Sequence, residues 1–228
     1  MNWFELRHAD AVMVALAQQC AFSTKIRANL RRAQGDELGE TNNVNWFRLL
    51  LKQLRAIQLK GVDNQPTDEL IFLVSTYLAD DQNTIRYVRE NGELPSVGMN
   101  LGAALDSVEK EQDAEAREKK MSLKPDPQRR ESRFERRLRL LLDAELTSDT
   151  QGELPFRLRQ CIRLIVSVRD GKNRIAWGQL LHDLSRWNFE NRPVRRDWAR
   201  AFYGDPRTFE KSMKEPELQP DLDTDIQV

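Results

Sequence analysis

Arginine is the residue type that this chain repeats at chemically useful spacing. Arg129, Arg133 and Arg136 are four and three apart, and Arg130, Arg133 and Arg137 make a second, overlapping row. Arg159 and Arg163 recur at i and i+4, and Arg192, Arg196 and Arg200 follow at every fourth position. On a helix, such spacings bring side chains onto one flank. A guanidinium is permanently charged and donates as a planar fork that matches phosphate oxygens, so these rows suit a polyanion. They equally suit a solvated face whose charge is cancelled locally by Glu131, Glu135 and Asp197. The spacing leaves both readings open.

Charge is distributed unevenly. The whole chain of 228 residues carries 36 Lys/Arg and 36 Asp/Glu, a formal net charge of zero. Between Arg129 and Arg200, however, there are 17 basic and 10 acidic residues, and Lys172 is the only lysine among them. The first 128 residues hold 16 basic and 19 acidic residues, and the last 28 hold 3 and 7. Positive charge is thus concentrated in one stretch of an otherwise mildly acidic protein.

Little else in the sequence points to chemistry. There are two histidines, His8 and His182, and no Cys or His at metal-ligand spacing. His182 and Asp183 are neighbours on a helical pattern and so do not face each other. Cys20 and Cys161 sit within apolar helical patterns and are expected to be buried thiols. The ten glycines are scattered and form no phosphate-binding loop. Acidic pairs such as Asp80-Asp81 fall at expected helix ends, where capping explains them. No catalytic constellation, cofactor or metal is therefore expected. No apolar run approaches the ~20 residues needed to cross a bilayer. Asp10 interrupts the stretch after Met1, no basic leader precedes an apolar segment, and a cytoplasmic location with no membrane partner is expected.

The elements that must position the arginines are helices. Apolar residues recur with helical period nearly everywhere, and no stretch alternates as a strand. The pattern predicts helices over about Ala9–Cys20, from Ser23 or Thr24 to Ala33, Asn43–Leu59, a segment opening at Pro66-Thr67, Thr84–Glu90 and Val97–Leu105. Further helices are expected over Arg130–Leu146, Leu154–Val168, Ala176–Trp187 and Pro193–Tyr203. Trp46, Trp177 and Trp198 fall on apolar stripes. Trp187, followed by Asn188-Phe189, could pack in the core or stack on a base or a partner. The segment 106–128 is dense in Glu, Lys and Asp and ends in Pro125 and Pro127, which reads as a charged linker or solvated helix. The expected organisation is all-α: an N-terminal helical bundle over 1–105, this linker, a C-terminal bundle over 129–204, and an acidic, disordered tail over 205–228.

Three elements of the C-terminal half also resemble a known family. They are Glu135-Arg136-Arg137-Leu138 with Leu140-Leu141, Trp177 to Trp187 with Leu180-Leu181 and Asp183-Leu184, and Val194 with Trp198-Ala199-Arg200 and Phe202-Tyr203. In order and spacing these are similar to the CasB family, the small subunit of the type I-E CRISPR effector complex, Cascade. Leu30-Arg31-Arg32-Ala33 and Leu101-Gly102-Ala103-Ala104-Leu105 resemble that family more loosely. The resemblance implies an all-helical protein of two small bundles, without catalytic activity. It implies a basic face that braces guide RNA, target DNA and the displaced strand, with other surfaces against the backbone and large subunits and a second copy alongside. Arg31 and Arg32 join the candidate contacts through their short motif. A helical protein-binding adaptor, whose arginines meet an acidic partner, is the competing class.

Overall fold

Capping side chains set where several of the helices begin. The computed structural model of the protein describes residues 4–34, 47, 66–95, 98–118, 131–146, 152–168, 172 and 175–204. Helix α1 spans Leu6–Phe22, α2 Thr24–Arg32, α3 Asp68–Leu78, α4 Gln82–Asn91 and α5 Leu101–Glu118. Helix α6 spans Arg133–Asp143, α7 Glu153–Val166, α8 Trp177–Ser185 and α9 Pro193–Tyr203. The fold is all-α. Among the described residues the only β-type pairing is a single bridge between Met99 and Ile175.

Each cap satisfies an amide N–H that the helix itself cannot. Ser23 Oγ accepts from the Ile26 N–H at 3.3 Å, and Thr67 Oγ1 from that of Leu70 at 3.2 Å. Asp81 accepts from the Thr84 N–H at 3.1 Å, and Ser132 and Glu135 form a reciprocal capping box at the start of α6. Helix α4 stops at Gly92, whose φ of 79° is the left-handed region that glycine enters without steric cost.

Helix α3 is the central element. Every residue from Leu70 to Leu78 is buried, and the helix touches α1, α2, α7 and α8. A helix apolar on all sides has no solvent face to offer. Helix α1 buries Ala9, Val12, Met13, Leu16, Ala17 and Cys20 against α8 and α4. Helix α9 crosses α5 closely at Gly102, where a Cβ would run into the carbonyl of Trp198. Helix α7 packs between α6 and α5. The Tyr77 hydroxyl ties α3 to α7 by donating to the Pro155 carbonyl at 2.8 Å.

Several boundaries differ from the sequence pattern, each for a local reason. The helix expected from Val97 begins at Leu101, because Asn100 Oδ1 accepts from the Ala103 N–H at 3.0 Å and the Met99 carbonyl is engaged by the Ala176 N–H at 2.9 Å. The helix expected from Arg130 begins at Arg133, where the Ser132 box starts it. Residues 106–118 continue α5, with Val108 buried and Lys110, Asp113, Glu115 and Glu118 exposed. Helix α8 packs on α1 and α3, so its contacts cross the 106–128 segment, and the buried side chains on both sides of it belong to one cluster. Arg129, Arg130, Trp46, residues 119–128 and the tail 205–228 lie outside the described residues. Of the expected Asn43–Leu59 helix only Phe47 is described; it is buried edge-on to Phe72, ring centroids 4.9 Å apart.

Candidate nucleic-acid interface

The arginine-bearing helices are held by a polar framework under their apolar faces. Trp177 and Trp198 are fully buried, and each indole N–H donates to a buried carboxylate: Trp177 to Asp81 at 3.0 Å, Trp198 to Asp183 at 2.7 Å. Gln179 donates to the other oxygen of Asp183 at 2.6 Å. Burial pushes the Asp183 carboxyl above its ordinary value, and the hydrogen bonds from Trp198 and Gln179 oppose that rise. Of the two readings of Trp187, core packing holds. It is wholly buried, donates to the Ala144 carbonyl at 3.0 Å and packs against Trp198 at 5.1 Å. Of the Trp187-Asn188-Phe189 segment, the aromatic that remains outside is Phe189, half exposed with the Arg186 guanidinium 5.8 Å from its ring centre.

Arg195 anchors α9 to the end of α6. It is 5% exposed, lies 5.0 Å over the Trp187 ring and donates to the Leu142 carbonyl at 3.0 Å and to both oxygens of Glu145 at 3.0 and 3.3 Å. That fork holds the Glu145 carboxyl below its ordinary value. Arg192 adds a weaker contact to Glu145 at 3.2 Å. It is not on the helix face with Arg196 and Arg200. It precedes Pro193 and takes a left-handed φ of 46°.

The remaining sequence-selected arginines divide by whether a carboxylate cancels them. Arg31 is paired with Asp80 at 2.7 Å, and Arg200 lies 3.8 Å from Asp197. Arg133 meets only neutral groups, the Gln112 amide and the Phe134 ring. Arg163 donates to the Gln34 amide at 2.8 Å, and Arg159 Nε is buried with no hydrogen-bond partner among the described residues. No described carboxylate lies within ion-pair distance of Arg32, Arg136, Arg137 or Arg196. Glu131 is occupied by Arg139, at 2.7 and 3.1 Å. Arg32, Arg136, Arg163 and Arg196 are exposed, and Arg137 and Arg159 are half-buried. The structure joins α2 to α7 through Gln34, which bridges Asp80 at 3.1 Å and Arg163 at 2.8 Å. Arg31 and Arg163, 132 positions apart in sequence, therefore share one hydrogen-bonded chain.

Three arginines in this neighbourhood escaped the sequence reading: Arg27, Arg86 and Arg89. They line a cleft with Asp80, Gln82 and Asn83. Their signal was the four-residue step from Arg27 to Arg31 and the three-residue step from Arg86 to Arg89. A mildly acidic N-terminal half concealed it.

Other titratable groups serve structure. His8 Nδ1 accepts from the Glu5 N–H at 3.0 Å in the cap of α1. His182 is held below its ordinary value by burial and by Arg186, which favours the neutral ring. Burial pushes both thiols, Cys20 and Cys161, up to about 12. Among the described residues no group of three metal-ligating side chains converges, and no helix is long and apolar enough to cross a membrane.

Known proteins share both sequence and fold with this chain. A family model described as CRISPR-associated protein Cse2 matches residues 26–203. A CRISPR-associated protein Cse2 of Thermus thermophilus is 35% identical over 83 residues, which span 36% of this chain and 43% of that protein. The chain thus spans less than half the length of that curated relative. The crystal structure of M. ruber CasB aligns with a TM-score of 0.51 at 26% identity, covering 82% of this chain and 86% of the other. The crystal structure of a Cse2-family protein from Thermus thermophilus aligns at 0.53 and 24% identity, covering 87% and 97%. A chain of a CRISPR RNA-guided surveillance complex aligns at 0.56 and 20% identity, covering 92% and 99%. The last two likenesses concern the fold.

Proposed function

The chain belongs to the CRISPR-associated Cse2 family, and from that premise we propose that it is a non-catalytic small subunit of a type I-E, RNA-guided effector complex. In this reading its arginine-rich face braces guide RNA, target DNA and the displaced strand. The backbone and large subunits and a second copy of the chain are its protein partners. The observation that carries the nucleic-acid role is the state of the arginines. Arg32, Arg133, Arg136, Arg137, Arg159, Arg163 and Arg196 keep a guanidinium charge that no described carboxylate within ion-pair distance cancels. A salt-bridged solvent face would have spent them. Acidic partners occur at Arg31, Arg139, Arg192, Arg195 and Arg200, and of these the buried Arg195 fastens α9 to the end of α6.

Such contacts position a strand and read no sequence, because they reach phosphate rather than base edges. Charge reversal at Arg133, Arg137 and Arg163 should leave assembly and melting nearly unchanged, since none of the three is buried. Target binding by the assembled complex should weaken uniformly across sequences, and the dependence of log K on log salt should become shallower by about one unit per lost contact. Unchanged affinity and slope in a complex that assembles normally would make the chain a protein scaffold without a direct nucleic-acid role.

A further inference from the structure

We propose that the cleft bounded by α2, one side of α4 and the end of α7 is a separate phosphate site, in which Arg27, Arg86 and Arg89 hold a phosphodiester of a nucleic-acid strand. The source of the phosphate rests on the functional reading above; the anion-binding chemistry stands on the cleft itself. Two of the three guanidiniums are fixed by neutral acceptors. Arg27 Nε donates to the Ala79 carbonyl at 3.1 Å, and Arg89 donates to the Ala21 carbonyl through Nε at 3.1 Å and Nη2 at 2.9 Å. A backbone carbonyl orients a guanidinium without cancelling its charge. Arg86 is exposed and has only the Asn83 amide, at 3.5 Å.

Among the described residues the cleft holds a single carboxylate, Asp80, and it is already engaged. Asp80 accepts from Arg31 at 2.7 Å and from Gln34 at 3.1 Å. Three cations, two of them held in place by carbonyls, therefore face a cleft whose one described carboxylate is already hydrogen-bonded. Burial holds Arg27 below its ordinary range, and repulsion from Arg31 and Arg89 lowers it further against the opposing pull of Asp80. A bound anion would relieve that repulsion. The first two residues of α4, Gln82 and Asn83, line the same cleft and bring the positive end of the helix to it. The cap of that helix, Asp81, is turned inward to Thr84 and Trp177, away from the opening. On the far wall Val166 and Val168 are half-buried and offer apolar surface beside the charged one.

The test uses the full chain and the reconstituted effector complex, with a mixed-sequence single-stranded DNA, a matched target duplex and inorganic phosphate as probes. R86E removes an exposed side chain with no burial to lose and should melt like the parent. R89K keeps a charge but not the fork on Ala21, and separates charge from tethering. On the single strand a contact with a slope of about 0.7 contributes about fivefold to affinity at about 0.1 M salt, so R86E should lose at least that factor and lower the salt slope by about 0.7. The loss should be the same for unrelated sequences. If R86E and R27Q leave affinity and slope unchanged while reversal at Arg133, Arg137 and Arg163 weakens binding, this cleft is not a strand contact and the functional reading stands. If neither set weakens binding, the functional reading fails as well. Phosphate binding that R86E abolishes without any change in strand affinity would mark a small-anion site and overturn the assignment to a strand.

Discussion

Replacing Trp198 tests whether the α5–α8–α9 junction is organised around a buried carboxylate. The indole of Trp198 is wholly buried, packs on Trp187 at 5.1 Å and donates to Asp183 at 2.7 Å. Trp198→Phe keeps most of the volume and removes the donor. It should cost about 1–3 kcal/mol, the range for leaving a buried acceptor short of a partner. Trp198→Ala adds the cavity and should cost about 3–5 kcal/mol. For a chain of this size that is a fall in melting temperature of about 6–20 °C. The pH dependence then identifies the carboxylate. Asp183 is already raised by burial, and the Trp198 bond is the strongest influence lowering it, so its loss raises the folded-state value further. A raised carboxyl favours the folded state below its unfolded value, and that advantage is lost as pH rises through the folded one. The deficit of Trp198→Phe relative to the parent should therefore be full at neutral pH and shrink as pH falls toward the unfolded carboxyl range. Urea unfolding at several pH values, followed by fluorescence of the remaining tryptophans, measures both effects. A Trp198→Ala protein that melts within about 2 °C of the parent, or a Trp198→Phe deficit independent of pH, would refute the argument.

Two other expectations concern packing. Gly102→Ala should destabilise the chain by about 1–3 kcal/mol, because its Cβ meets the backbone carbonyl of Trp198, which cannot swing aside as a side chain would; parent-like thermal unfolding would show that α5 and α9 can separate cheaply. A fragment from Pro127 to Gly204 strips α8 of α1 and α3 and α9 of α5, and is expected to melt broadly by circular dichroism; a sharp, cooperative transition would establish 129–204 as a folding unit of its own.

The all-α class, and the cores of most helices, were legible from the sequence. The reason is that burial of one stripe is a local periodic property: Phe134, Leu138 and Leu141 on α6, and Leu158, Ile162 and Ile165 on α7, are buried where their spacing puts them. Capping was legible at Ser23 and Asp81 for the same reason, since each acts within three residues of itself, whereas the Ser132 box was missed and the helix expected from Arg130 starts after it. The arginine rows could be found but not sorted, because spacing shows which side chains share a flank and not which carboxylates stand opposite. Only tertiary structure decided that Arg195 is a buried anchor, that Arg31 is paired with Asp80, and that Arg137 and Arg163 are left with charge to spare. Trp187 was settled in the same way, because its position at a helix end fitted both a core and a stacking platform until Ala144 and Arg195 closed over it. The cleft of Arg27, Arg86 and Arg89 is built from residues up to 62 positions apart, in a half of the chain whose net charge is negative. Its positive field exists only because the fold brings α2 and α4 to the walls of one cleft and Asp80 there is paired with Arg31. Periodicity and caps belong to the chain; the balance of charge at a surface belongs to the fold, since it depends on distances that no stretch of sequence contains.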